Sequence, residues 1–241
     1  MSGWWVHNAF ATGGAIFLVA WIFWVLLSIT LHELAHGWAA IWEGDMTPRE
    51  LGRMTANPIV HMGGLSLLVF AAIGIAWGLM PVNPSRFRHR RWGNAIVAAA
   101  GPAMNILLAL ICLTAFGLWS GLAGPEPTSE VELTWQDQGR LFLWVGGWLN
   151  LVLCLLNLIP VPPLDGSRIL ACCHWKIQEL YRHPQAQFAG LFLFLVIFWG
   201  GVADGAFRWT EKISLQYSAL VAAPFQASET TEALGSRTDL R

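Results

Sequence analysis

Charged residues are scarce in this chain, and their scarcity excludes most soluble folds. Only 12% of the 241 residues are charged and 55% are hydrophobic, whereas a soluble domain usually carries about a quarter charged residues. The sequence contains 15 tryptophans, a residue type that is enriched at membrane–water interfaces. The formal net charge is only −1, which argues against nucleic acid as a partner. The composition therefore predicts that the chain is surrounded mainly by a lipid bilayer.

Cysteine is also scarce, and its placement excludes a disulfide framework or a cysteine metal site. Of the four cysteines, Cys112 and Cys154 lie in apolar runs, while Cys172 and Cys173 are neighbours; no C-x-x-C pair occurs. A free thiol in an apolar run behaves as a small hydrophobic side chain. The N-terminus lacks a cationic region and a small-residue cleavage site, so we expect a retained span there and not a removed signal.

Five apolar runs are long enough to enter or cross a bilayer. A helix rises 1.5 Å per residue and the hydrocarbon core is about 30 Å thick, so a crossing takes about 20 residues. We predict an all-α fold: a multi-pass transmembrane helical bundle with about four to six membrane segments, one of them re-entrant. The runs cover residues 15–42, 61–80, 93–119, 141–160 and 188–203.

Two domains follow from these runs. We expect residues 1–205 to form the membrane domain. Residues 206–241 mix polar and apolar residues, and we expect an interfacial amphipathic helix at about 206–223 and a disordered tail at 226–241.

Charges in the loops orient the bundle. Loops 81–92 and 166–187 are basic, whereas loop 120–139 is acidic and contains no lysine or arginine. The positive-inside rule places the two basic loops in the cytosol and the acidic loop outside, in a multi-pass protein of the cell membrane. The charges that decide this are Arg86, Arg88, Arg90, Arg91, Arg168, Lys176 and Arg182 on one side, and Glu126, Glu130, Glu132 and Asp137 on the other.

The first apolar run ends in an H-E-x-x-H motif, which predicts a metal site. His32 and His36 are four residues apart, so they lie on one face of a helix and can reach a single zinc ion. Glu33 is placed to take a proton from a zinc-bound water. The alternative is an ordinary exposed helix face, but ionisable groups within a span cost several kcal/mol each and persist mainly where they serve a site.

A catalytic zinc needs a third protein ligand, and the proline-rich segment 157–166 offers one. Its three prolines stop a helix and leave carbonyl groups unpaired, which at membrane depth usually lines a cavity. Asp165 is the only acidic residue between Asp137 and Glu179 and is the candidate third ligand. The alternative is a helix-ending turn that Asp165 caps just outside the membrane.

A third motif, from Ala100 to Asn105, combines small residues with Pro102 and an amide. Glycine and alanine permit close approach of helix backbones, and Pro102 frees a carbonyl. Asn105 could donate to a substrate carbonyl or to a developing oxyanion. The alternative is a packing role through one interhelical hydrogen bond, which would be preferred without the other motifs.

Together the three motifs resemble the site-2 protease family, the intramembrane metalloproteases, in a compact bacterial and archaeal branch. The resemblance spans about residues 30–170 and rests on H-E-x-x-H at 32–36, G-P-x-x-N at 101–105 and N-x-x-P-x-P-x-x-D-G at 157–166. It implies a zinc endopeptidase that cuts transmembrane protein substrates, with residues 1–205 as the protease domain. The implied roles are zinc ligation by His32, His36 and Asp165, activation of water by Glu33, and substrate binding by Asn105 and Asn157.

A shared metal also constrains the topology. Asp165 follows a helix that runs towards the cytosol, so the zinc lies on the cytosolic side and the first helix must end there too. The 61–80 run then cannot be a simple crossing: it re-enters, or segment 43–60 crosses in part.

Two other functions use the same residues. A divalent-metal transporter would use the ligands as a transit site, but it needs no glutamate beside them and usually shows repeated halves. The second alternative is an inactive membrane scaffold of the same fold, against which the intact Glu33 argues.

Overall fold

Helices account for all the regular structure that is described. The computed structural model of the chain describes residues 4–90, 92–123 and 134–238, without the side chains at 182, 197, 199, 202, 203 and 227–238. Within those ranges there is no β-strand, and a short 3₁₀ turn lies at Pro84–Arg86. The helices are α1 (Trp5–Trp42), α2 (Thr47–Glu50), α3 (Pro58–Ile73), α4 (Gly93–Leu122), α5 (Trp135–Asn157), α6 (Asp165–Ala171), α7 (Trp175–Arg182), α8 (Pro184–Trp199) and α9 (Val202–Thr238).

Three of these helices, α1, α4 and α5, are long and apolar enough to cross a membrane, with 38, 30 and 23 residues. They pack against one another and form the centre of the bundle. The apolar helices α3 and α8 are shorter, at 16 residues each. The predicted all-α membrane bundle is confirmed.

Glycines allow the three long helices to approach closely. A Cβ atom on Gly146 of α5 would overlap the indole ring of Trp24 on α1, and one on Gly147 would overlap Leu113 on α4. The indole Nε1 of Trp24 donates a hydrogen bond to the carbonyl oxygen of Phe142 over 2.9 Å. The close approach brings polar groups of the three helices within hydrogen-bonding distance of one another.

The second predicted span does not continue as one helix. It ends at Gly74, whose φ of 79° is in the left-handed region, and the chain then runs back along α3. The hydroxyl of Ser66 donates to the Trp77 carbonyl over 2.7 Å and accepts from the Trp77 amide over 2.9 Å. The amide of Leu79 donates to the carbonyl of His61 over 3.0 Å. Residues 58–83 therefore form a hairpin that returns to the end from which it started, which is one of the two arrangements that the shared-metal constraint allows.

The base of this hairpin is tied down by local hydrogen bonds. Asn57 caps α3 by accepting from the amide of Ile59 over 3.0 Å, and Pro58 follows at the first helical position, where its missing N–H is harmless. His61 is buried, with 1% of its surface exposed, and its Nε2 donates to the Thr55 carbonyl over 2.6 Å. This histidine therefore supports the loop before α3.

The tip of the hairpin is held by tryptophans near the N-terminus. The indole of Trp4 donates to the carbonyl oxygens of Ala71 and Ala72, and that of Trp5 donates to Ala71, each over 3.1 Å. The ring of Trp5 also lies against Gly74.

Two buried acids, Glu43 and Asp45, form a clamp that joins the end of α1 to the segment before α4. Glu43 accepts hydrogen bonds from the backbone amide and the Nδ1 of His89, each over 3.1 Å. Burial acts to raise the pKa of Glu43, but the bonds from His89 and the charge of Arg88 outweigh it, and this pKa lies below its ordinary value. Asp45 accepts from the amide of Asn83 over 2.6 Å. Both acids are 0–1% exposed. Through these buried hydrogen bonds the clamp fixes α1 against the hairpin and against α4.

Helix α9 lies along α4. Its buried residues are small, and Thr210, Ser214 and Ser218 among them are polar. The backbone at Ser218 approaches Gly117 within the reach of a Cβ atom. The hydroxyls of Thr114 and Tyr217 form a hydrogen bond of 2.9 Å across this contact. The segment predicted as an interfacial helix, 206–223, thus packs on the bundle. Helix α9 continues to Thr238, into the segment 226–241 that is predicted as a disordered tail. The domain boundary at residue 205 stays a prediction.

The predicted external loop falls mostly outside the described residues. Glu126, Glu130 and Glu132 are not described, and neither is Arg91. Asp137 is described: it forms a capping box with Thr134 and a 2.6 Å ion pair with Arg140.

Cysteine labelling tests the return of the hairpin. Single cysteines at Leu51 and Ser85, in a Cys173→Ser background, should react with a membrane-impermeant reagent from the same side. The reason is that Arg86 pairs with Glu50 at 2.8 Å, so both positions share one end of the bundle. A cysteine at Gln138, at the far end of α5, should react from the opposite side. Reaction of the first two positions from opposite sides would contradict the hairpin.

Candidate metal centre

The two histidines of the H-E-x-x-H motif lie one turn apart on the same face of α1. Both are buried, His32 with 7% and His36 with 5% of its surface exposed. Their Nε2 atoms are 3.0 Å apart. The predicted helical placement of both side chains is therefore observed.

Asp165 reaches the same point from a separate element at the same end of the bundle. It is the first residue of α6, which follows the proline-rich turn after α5. Its Oδ2 lies 3.1 Å from the Nε2 of His32 and 3.3 Å from the Nε2 of His36. A Cβ atom on Gly166 would overlap the carbonyl of Leu158, so only glycine lets the turn close this tightly. A residue that only capped a turn just outside the membrane would not make these contacts with both histidines.

Hydrogen bonds at the far side of each ring fix the histidine tautomers. The Nδ1 of His36 lies 2.7 Å from the carbonyl oxygen of Val97, which can only accept, so this nitrogen carries the proton. The Nδ1 of His32 lies 2.6 Å from the Oδ1 of Asn105 and likewise donates. In neutral rings both Nε2 atoms are then unprotonated and direct their lone pairs towards each other and towards the carboxylate of Asp165.

This arrangement fits a zinc ion. Three electron-rich atoms in contact repel one another unless a cation lies between them. A tetrahedral zinc with ligands at about 2.0–2.2 Å places neighbouring ligand atoms roughly 3.3 Å apart, close to the separations of 3.0, 3.1 and 3.3 Å found here. Among the described residues, His32, His36 and Asp165 are the group of histidine, cysteine and acidic side chains that could hold a metal.

Glu33 is covered by the returning arm of the hairpin. Its side chain is 7% exposed, and a Cβ atom on Gly78 would lie 2.5 Å from its Cγ and its Oε1. The absence of a side chain at Gly78 therefore gives the carboxylate its room. The sequence offered no sign of this contact, because a lone glycine in an apolar run looks like any other.

Gly101 provides the corresponding room on α4. A Cβ atom there would overlap the Nε2 atoms of both histidines, so this glycine faces the point where the three ligand atoms meet. The sequence predicted that the motif allows close approach of helices, and the structure shows that the approach is to the metal site.

The two asparagines predicted to bind substrate lie in different surroundings. Asn105 is fully buried, and its amide is engaged by His32 on one side and by Asn150 on the other. Asn157 lies at the end of α5, where its Nδ2 donates to the Leu153 carbonyl over 3.0 Å. Substrate binding by these residues stays a prediction, and the contacts of Asn105 favour a role in orienting His32.

Comparison with known proteins gives the family. The model of peptidase family M50 matches residues 20–199. The chain belongs to peptidase family M50. This is the site-2 protease family, so the resemblance drawn from the three motifs is confirmed. As a family member the M50 chain is a membrane zinc metalloprotease, and the predicted zinc cofactor is confirmed.

Several curated bacterial proteins are similar to the M50 chain. It is 36% identical over 181 residues to the "Putative zinc metalloprotease YwhC" of Bacillus subtilis, covering 72% of this chain and 77% of the relative. It is 32% identical to Rip2 of Mycolicibacterium smegmatis, described in the same words, over 67% of this chain and 57% of that protein. Rip2 of Mycobacterium tuberculosis strain H37Rv is 28% identical over 76% of this chain and 67% of its own. No solved structure matches the chain with significance.

Replacing Gly101 by alanine should empty the metal centre of the M50 chain. The added methyl group would take the space beside both Nε2 atoms, so we expect zinc content to fall from about one ion per chain to a small fraction of that value. Elemental analysis of the purified protein measures this. Gly64→Ala is the matched control, because a Cβ atom at Gly64 of α3 meets nothing within 4 Å. Full zinc content in the Gly101 variant would mean that the metal lies elsewhere.

Proposed function

We propose that this M50 protein is an intramembrane endopeptidase that hydrolyses peptide bonds in transmembrane segments of other proteins. The observation that carries the proposal is the position of the three ligand atoms between long apolar helices. His36 precedes the end of α1 by six residues, or about 9 Å along the helix axis, and His32 by about 15 Å. A site at this depth lies within a hydrocarbon core about 30 Å thick, so its substrate must be a chain that is itself in the membrane.

In the proposed reaction His32, His36 and Asp165 hold the zinc, and Glu33 is the general base. Zinc in such a site supplies a Lewis acid that brings the pKa of water to about 7. Glu33 accepts a proton from the attacking water and then delivers it to the leaving nitrogen. The water oxygen joins the carbonyl carbon, the C–N bond breaks, and a new carboxyl and a new amine result.

The substrate must present an unwound stretch of backbone, because a carbonyl in an intact helix is hydrogen-bonded and shielded. Two irregular segments flank the centre: the returning arm of the hairpin and the proline-rich turn before Asp165. Irregular backbone at membrane depth is tolerated where protein covers it or where it lines a cavity. We propose Asn157, half-buried at the start of this turn, as a contact for the substrate strand.

The proposed location is the cell membrane, with the active site towards the cytosolic side. Arg86 and Arg88 are exposed beside the clamp at the end of α1 nearest the histidines, and the positive-inside rule puts that end in the cytosol. The partners are then a transmembrane protein substrate and the lipid bilayer.

Replacing Glu33 by glutamine tests the proposed reaction. The amide keeps the size and polarity of the side chain but cannot accept a proton, so cleavage of a single-span substrate in liposomes should fall at least 10²–10⁴-fold, with zinc content unchanged. Glu211→Gln, an exposed acid on α9, is the matched control and should cleave normally. A Glu33 variant that cuts at the wild-type rate would rule out this mechanism.

Replacing Asp165 by alanine tests the ligand set. Two histidines alone fall below the three protein ligands of a catalytic zinc site, so most of the metal should be lost, as measured by elemental analysis. Asp204→Ala, an exposed acid at the start of α9, should keep its zinc. Unchanged zinc in the Asp165 variant would remove this residue from the centre.

A further inference from the structure

The metal-binding nitrogen of His32 depends on a chain of buried amides that reaches across three helices. The Oδ1 of Asn105 on α4 lies 2.6 Å from the Nδ1 of His32 on α1. The Nδ2 of Asn105 donates to the Oδ1 of Asn150 on α5 over 2.8 Å. The Nδ2 of Asn150 donates to the Oγ of Ser28 over 2.9 Å and to the carbonyl of Gly146 over 2.8 Å. The three polar side chains beyond His32 are each 0% exposed.

The direction of this chain is fixed at its far end. A side-chain amide can be turned end for end, so two contacts between asparagines do not by themselves say which end donates. The carbonyl oxygen of Gly146 can only accept, so it requires the Nδ2 of Asn150. The Oδ1 of Asn150 must then face Asn105, and the Oδ1 of Asn105 must face His32. The Nδ1 of His32 is left as a donor.

We propose that Asn150 is a positioning residue, which acts through Asn105 to hold His32 in the tautomer with the proton on Nδ1 and the lone pair of Nε2 free for zinc. A neutral imidazole carries its proton on one nitrogen only, and the partner of the other nitrogen decides which. Without the amide chain, His32 can place its proton on Nε2, where it blocks the metal. The inference requires the metal site but does not depend on what the enzyme cuts.

His36 has a different support, which makes the two ligands separable. Its Nδ1 donates to the backbone carbonyl of Val97, which no side-chain substitution removes. Changes at Asn150 should therefore loosen His32 alone. Ser28 lies four residues before His32 on the same face of α1, so the chain begins and ends on one helix and holds α4 and α5 against it.

The test compares the zinc affinities of two variants at Asn150. A packing role and the proposed positioning role predict opposite rankings for these two variants. Asn150→Asp keeps an oxygen that can accept from Asn105, whereas Asn150→Leu fills the space with an apolar side chain and no acceptor. If Asn150 only packs the helices together, the leucine variant should bind zinc more tightly than the aspartate variant, because a carboxyl group in an apolar interior is costly. If Asn150 positions His32 through Asn105, the aspartate variant should bind zinc more tightly, because it keeps the acceptor.

Two measurements without substrate decide between them. Nitrogen-15 NMR of the metal-free protein labelled at histidine, at a pH where the His32 ring is neutral, should show His32 protonated at Nδ1 in the wild type and in Asn150→Asp, and a mixture of tautomers in Asn150→Leu. Competition with a chelator should show zinc binding about 10–100-fold weaker in Asn150→Leu. Wild-type affinity and a single Nδ1 tautomer in the leucine variant would overturn the proposal, as would tighter zinc binding in that variant than in Asn150→Asp.

Further variants guard against misfolding. Thr114→Val removes a partly buried hydrogen bond between α4 and α9 away from the amide chain, and its zinc affinity should equal that of the wild type. If a change at Asn150 prevents folding, Asn105→Leu and Ser28→Ala replace it: the first should show the full loss of affinity and the second a smaller one. Wild-type affinity in Asn105→Leu would overturn the proposal. If the zinc affinities follow this order but the wild-type protein with zinc bound cuts no transmembrane substrate, the result would count against the protease function alone.

Discussion

Polar groups inside a bundle surrounded by lipid must satisfy one another, and this constraint governs the arrangement around the metal centre. Two histidines, an aspartate and a glutamate lie among apolar helices, where an unpaired polar atom costs several kcal/mol. Each histidine therefore has a partner behind it, a carbonyl for one and an amide for the other. On the side facing Asp165 the remaining lone pairs converge, and a cation is the partner that they have in common.

Close packing by glycine is the physical means by which these groups meet. Hydrophobic contact gives little force between helices in lipid, so association depends on surfaces that fit closely and on interhelical hydrogen bonds. Gly101, Gly146 and Gly147 provide such surfaces on α4 and α5, and each lies where a methyl group would overlap a neighbouring helix. The hydrogen-bonded chain from Ser28 to His32 exists because the helices approach this closely. A larger residue at Gly146 would separate α1 from α5 and break the chain at Asn150.

Motif spacing predicted that His32, His36 and Asp165 come together, because each lies on, or directly after, an element that the sequence marks clearly. The helix through His32 and His36 and the proline-rich turn before Asp165 are local features. Partners from distant helices were not predictable in the same way: Asn150 is one amide in a long apolar run, and its contact with Asn105 depends on how α4 and α5 pack. For 61–80, hydropathy alone suggested one helix up to Met80; the topological argument limited this segment to two arrangements, and the structure has the re-entrant one. The packing of α9 along α4 was missed because its buried residues, such as Ser214 and Ser218, are polar.

The hairpin over Glu33 is held by stronger hydrogen bonds at its base than at its tip. At its base, Asn83 donates to the buried carboxylate of Asp45, and hydrogen bonds to charged groups contribute about 1.5–3 kcal/mol. At its tip the fastening consists of neutral bonds from indoles, and Trp4 is 59% exposed, so each contributes about 0.5–1.5 kcal/mol. A disturbance that loosens the hairpin from the rest of the bundle would therefore release the tip from Trp4 and Trp5 before it releases the base from Asp45.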